Sequence, residues 1–191
     1  MLKSKGVAVV VLDHHEADKI SEDAIIINNQ LSDYPNKFMC GGGIVWQFCK
    51  YMSKELFEDT KYLDFLDLTA LSLISDMMDI KELETAYLIQ KGILSDNLKN
   101  PFIYYLSWKN SFSLGPNPTP IGWAFYITPF INSMMRSGTQ EEKEILFKSM
   151  LEHCAYKMIP STKRGAKGQE EKLVEQAVRL SINVKNRQTK A

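Results

Sequence analysis

Asp13, His14 and His15 are consecutive, and one carboxylate beside two imidazoles is a donor set that Mn²⁺, Zn²⁺ or Mg²⁺ accepts. They follow the apolar run of residues 7–12, whose valine-rich stretch without polar alternation reads as a strand buried on both faces in a parallel sheet. Ligands of open α/β sheets gather at the carboxyl ends of such strands, so the three residues stand where chemistry is done. The plainer alternative is that one histidine caps the strand and the other faces water. Asp76, among Ile74, Met77 and Met78, is a further candidate, because a carboxylate in apolar surroundings is costly unless paired or metal-bound. A helix-end aspartate facing water is its alternative, and Asp67 and Asp79 are weaker versions of the same case.

Two more groups could meet a phosphate. Gly41, Gly42 and Gly43 open a helical pattern over residues 44–56, where backbone N–H groups at the positive helix end can approach an anion. Close packing of helix on strand explains the glycines equally well. Asn132 and Arg136 fall four apart on a helix begun by Pro129 and share a face suited to a phosphate oxygen, or to local capping and bridging.

The elements that must position these residues follow from the pattern. Residues 25–27 predict a second strand, and apolar spacing predicts helices over 63–78 and 81–98. Asn100-Pro101 and the proline-rich loop at 115–120 break the chain and mark a subdomain boundary. Residues 121–127 predict a short strand. Thr139 with Glu142 is a capping-box signature for a helix over 141–156, and residues 169–190 predict a single-seam helix with charged outer faces. The expected fold is α/β: a partial parallel sheet with helices, then a mainly helical extension and a long connecting helix.

With 45% hydrophobic and 24% charged residues, 191 residues can bury a core as one ordinary domain. The net charge of zero conceals a gradient. Residues 1–100 carry 10 Lys/Arg and 16 Asp/Glu, residues 101–156 four of each, and residues 157–191 nine against three. An acidic metal-binding end and a basic end that meets polyanions fit this, although a basic stretch can also be a solvated face. Three cysteines without a C-x-x-C motif, no signal peptide and no apolar run of membrane length point to a reducing cytoplasm and away from a membrane.

These residues resemble the DHH phosphoesterases, and the order of their motifs resembles the RecJ branch. Leu12-Asp13-His14-His15-Glu16 looks like the signature that names the family. Asn28, the Asp33-Tyr34-Pro35 loop and Cys40-Gly41-Gly42-Gly43-Ile44 are similar to the asparagine and C-G-x-G segment that follow it. The stretch from Asp67 to Asp76, DLTALSLISD, is similar to D-L-V-A-L-G-T-I-A-D, and that from Pro129 to Arg136 to P-R-I-N-A-A-G-R. Asn183 and Arg187 resemble the tail of the helix joining the two RecJ domains. The resemblance implies segments at 1–98 (phosphoesterase domain), 99–168 (extension) and 169–191 (interdomain helix).

It further implies a phosphodiesterase using two divalent metals, Mn²⁺ before Mg²⁺, that trims single-stranded DNA from the 5′ end in repair and recombination. Carried over by position, His14 and Asp76 are metal ligands, His15 meets the scissile phosphate, and Asp13 supports the metal ligands through hydrogen bonds, with direct ligation as the alternative. Asn132 and Arg136 hold the substrate backbone, with the glycines of 41–43 beside it. The sequence departs from the pattern at Ser72 and Met135, where the family has glycine, and lacks the earlier D-x-D motif and the C-terminal DHHA1 domain. A central fragment or half of a split protein is therefore expected, with little activity alone, weak Mn²⁺ binding and an open sheet that favours self-association or the missing half. The alternatives are a noncatalytic RecJ-like scaffold in a replication or repair complex, and a phosphodiesterase of short oligonucleotides or cyclic dinucleotides.

Overall fold

A computed structural model describes residues 2–190, leaving Met1 and Ala191 outside the described residues. Near the N-terminus, β1 (Val10–Asp13) and β2 (Ile25–Asn28) pair in parallel, with Val10 opposite Ile25 and Asp13 opposite Asn28. Parallel pairing matches the expectation, and the register sets Asn28 beside the first candidate ligand. Burial on both faces does not. Val10 is 47% exposed, with Val7, Val11 and Ile25 also open to solvent. Among the described residues β1 and β2 pair only with each other, and α1 (Gly41–Glu55) covers part of one side, so the valines lack the second layer their pattern suits.

The next elements form the platform for that pair. A 3₁₀ turn at Lys61–Phe65 leads into α2 (Leu66–Ser75), shorter than the helix predicted over 63–78 because the chain leaves it through Met77 at φ 53°. The helix predicted over 81–98 is α3 (Leu83–Gly92) and a 3₁₀ turn at Ser95–Asn97. Gly92 lets α3 lie close on α2: a Cβ there would collide with the Leu66 carbonyl oxygen and the Ala70 Cβ. Gly92→Ala is accordingly expected to lose about 1–3 kcal/mol of stability by urea unfolding, since the obstacle is backbone that cannot swing aside.

Beyond residue 100 the chain is helical: α4 (Pro101–Lys109), α5 (Ser111–Leu114), α6 (Pro120–Tyr126), α7 (Thr128–Ser137), α8 (Gln140–Ser149) and α9 (Glu152–Ala155). Residues 121–126 are helix and Ile127 a turn, not the predicted strand. Thr119 accepts the Gly122 N–H at 3.0 Å and Pro120 sits in the first turn, a start that outweighs the β-propensity of the aromatic run. The Thr139–Glu142 capping box forms as read, but its helix stops at Ser149 and resumes as α9. A hairpin of β3 (Met158–Pro160) and β4 (Glu170–Lys172) precedes α10 (Leu173–Lys190), so residues 170–172 are strand where helix was predicted.

One cluster of buried residues, including Leu73, Leu88, Phe102, Trp123 and Val174, runs from Met39 to Val184 and across the break at 99–120. Val174, Ala177, Val178 and Val184 turn α10 into that core against α4, α7 and α8. No described helix is long and apolar enough to cross a membrane.

Candidate metal centre

The end of β1 is held by the residues it carries. Asp13 Oδ1 accepts the backbone N–H of His14 at 2.8 Å and lies 2.7 Å from Nδ1 of His15. The His15 bond, then the His14 amide, hold the Asp13 carboxyl below the usual carboxylate range. Opposite, Asn28 donates from Nδ2 to the His15 carbonyl at 2.9 Å and accepts the Gln30 N–H at 2.7 Å, fixing the turn after β2 to the turn after β1.

The two histidines differ in setting. His15 is exposed, its ring centroid 4.2 Å from that of His14. His14 is tucked inward, with Nδ1 shielded from solvent and without a hydrogen-bond partner. An unsatisfied buried ring nitrogen is costly in an apolar setting and is what a metal ligand looks like before its ion arrives. One donor atom from each of Asp13, His14 and His15 lies within 4.8 Å of the others, a spacing compatible with one ion. The set also fits by type, since imidazole nitrogen and carboxylate oxygen suit Mn²⁺.

Gly42 and Gly43 show close packing, whereas a Cβ on Gly41 would meet His14 Nδ1 at 3.4 Å, an ordinary van der Waals contact. Cβ atoms on Gly42 and Gly43 would collide with the side chains of Ser72 and Met39. Ser72, one of the departures from the family pattern, places its Oγ 3.1 Å from Cys40 Sγ and over Gly42, so a glycine on α1 accommodates the hydroxyl on α2. Burial pushes the Cys40 thiol up, only partly opposed by Ser72 and the amides of Gly43 and Gly42; the charge of Asp76 raises it further.

Asp76 is exposed at the C-terminal end of α2, so the argument from apolar surroundings fails for it. The chain leaves the helix at Ser75, and Asp76 turns to solvent. Its charge is felt at Cys40, the residue before α1. It stands outside the compact group of Asp13, His14 and His15. Asn132 and Arg136 do share α7, half-buried and exposed respectively, and α7 packs on α2 and α10. Sequence reasoning gave Asp67 less weight than Asp76, yet Asp67 is the buried carboxylate, and its partners are backbone amides.

A crystal structure of exonuclease RecJ bound to manganese superposes with a TM-score of 0.75 at 18% identity, covering 99% of this chain and 43% of that one. The chain shares the α/β fold of that enzyme, with Asp13-His14-His15 closing its first strand. Two curated relatives are each 35% identical over 191 residues: the SPbeta prophage-derived YorK of Bacillus subtilis (strain 168), named as a candidate single-strand DNA-specific exonuclease, and yorK of Bacillus phage SPbeta, named likewise. The alignment takes in 98% of this chain and 32% of each relative, so the chain spans about a third of their length. No family model matches the chain.

Proposed function

We propose that the chain supplies the metal-binding corner and part of the substrate track of a RecJ-like single-strand DNA exonuclease, a 5′-to-3′ phosphodiesterase using Mn²⁺. The observation that carries this reading is the unpartnered, solvent-shielded Nδ1 of His14 within the Asp13–His14–His15 group. Divalent ions bound there would supply Lewis acidity and charge neutralisation for displacement at phosphorus.

The chain's own residues divide the remaining work. His14 holds the ion, with Asp76 as a second ligand. Asp13 orients His15 through the 2.7 Å contact. When Nδ1 of His15 donates to that carboxylate, Nε2 presents its lone pair outward, and on protonation an N–H toward a phosphate oxygen. Asn132 and Arg136 hold the strand backbone from α7, with Gly41, Gly42 and Gly43 at the start of α1 beside it.

Three clustered donors are fewer than one octahedral ion takes, and a pair of ions needs more. The isolated chain is therefore expected to bind Mn²⁺ weakly and to turn over DNA little. The test is Mn²⁺ binding followed by electron paramagnetic resonance of the free ion. His14→Ala should abolish the binding, and Asp13→Asn should weaken it by roughly 10- to 100-fold. Binding that ignores His14 would remove the proposed site; two tight sites or robust turnover by the isolated chain would overturn the donor count.

A further inference from the structure

Two stretches far apart in the sequence, the aromatic residues of α4 and the basic C-terminal segment, come together on the surface. Between α4 and the first turns of α10 lies a groove of about 400 Å³, bordered by Tyr105, Trp108, Lys109, Lys163, Arg179 and Asn183. We propose that this groove seats single-stranded DNA, with one base stacked on Trp108 and the adjoining phosphate met by Lys109. The proposal rests on the single-strand reading of the substrate and adds a binding site on α4 and α10, separate from the metal corner.

Trp108 carries the first part of the argument. Trp46 and Trp123 are buried, whereas Trp108 is 65% exposed on the face of a helix whose other side is core. A large flat apolar ring presented to water on a rigid element is a platform that a base, with its π face, can cover. Beside it the ring of Tyr105 is fixed by Tyr104 and Tyr156, at centroid distances of 5.9 and 6.4 Å, and its hydroxyl lies 3.4 Å from Lys172 Nζ.

Charge decides the class of ligand. Residues 157–191 carry nine Lys/Arg against three Asp/Glu, and Lys109 adds a cation from α4. Of the carboxylates, Glu171 is buried and already shared by Arg179 and Lys163, while Glu175 lines the groove. Lys109, Lys163 and Arg179 line the groove against Glu175, and of these cations Lys109 has no ion pair among the described residues. An excess of cations around an open aromatic ring favours a polyanion with planar groups over a basic peptide. A single strand satisfies this better than a duplex, whose bases are already stacked on each other.

Trp108 is also the reporter. Because the other two tryptophans are buried, binding of a short oligothymidylate to the full chain should quench the solvent-exposed part of its fluorescence. Trp108→Ala is expected to weaken binding about ten-fold, and Trp108→Phe to recover most of it by keeping a ring. Lys109→Ala should flatten the plot of log affinity against log salt by about 0.7. Both side chains are exposed, so thermal melts should match the parent chain. If DNA binds but Trp108→Ala leaves affinity unchanged, the groove is not the site and the single-strand reading stands. Failure of the parent chain to bind oligothymidylate at low salt would remove the groove and count against that reading, with Mn²⁺ binding through His14 judged separately. A dimer on gel filtration that Trp108→Ala dissociates would assign the groove to a second copy and overturn the proposal.

Discussion

Asp67→Ala is expected to destabilise the chain by about 3–5 kcal/mol, more than any substitution at the metal corner, in equilibrium urea unfolding. Asp67 is fully buried on the first turn of α2. Its Oδ1 accepts the Leu68 N–H at 2.7 Å, and its Oδ2 accepts the N–H groups of Lys99 and Asn100 at 2.8 and 2.7 Å. Asn100 in turn caps α4 by accepting from Phe102 and Ile103, and donates to the Met150 carbonyl at 3.0 Å. One carboxylate therefore fixes the entry to α4 and, through Asn100, the end of α8. Alanine would leave backbone donors unpaired in a dry site.

Asp67→Asn is a gentler probe, costing about 2 kcal/mol, because its amide nitrogen must face a donor. Burial raises the Asp67 carboxyl, and the amides of Asn100, Leu68 and Lys99 only partly offset it. A raised folded value means that folding takes up a proton in the window above the unfolded value. The acid form's contribution is full below that window and is lost as pH rises through the folded value, so the advantage over Asp67→Asn should shrink with rising pH. An advantage that grows across that window would mean that the amides win over burial.

The contrast between Asp67 and Asp76 shows where sequence reasoning ends. Both sit on or beside one apolar helix, and spacing alone favours Asp76. What buries Asp67 is the loop at Lys99–Asn100, more than 30 residues away, and a helical pattern holds no record of it. Asp13, His14 and His15 were legible because their proximity is covalent, and parallel pairing was legible in two β-branched runs. The water-facing valines of β1 were not, since a valine run specifies a preference for burial and not the partner that satisfies it. Thr119-Pro120 carried a helix start that the aromatic run after it obscured, as Thr139 and Glu142 carried one in plain view. The groove at Trp108 needs α4, the 161–168 loop and α10 at once, and only the packed chain brings them together.

Glu171 is the second site with a large expected effect, and its sign is opposite to that of Asp67. It is 4% exposed on β4, and ties Ser161 Oγ at 3.0 Å, Gln176 Nε2 at 3.0 Å, Lys163 Nζ at 3.0 Å and the Arg179 guanidinium into one cluster. Burial alone would push its carboxyl up; the bonds from Gln176, Lys163, Arg179 and Ser161 more than reverse this and lower it from 4.5 to about 2. A depressed folded value contributes stability that is present above the unfolded value and lost as pH falls toward the folded one. That contribution is about 3 kcal/mol, disappearing between pH of about 4.5 and 2. Glu171→Gln should lose most of it near neutral pH and flatten the acid limb of the stability profile; a variant whose profile parallels the parent's would show that the cluster contributes no linkage. Removing the carboxylate also releases Arg179 and Lys163 at the wall of the Trp108 groove. Stability and oligothymidylate affinity are thus expected to move in opposite directions, the first falling and the second rising, because one buried anion now serves the fold with cations that the groove could use.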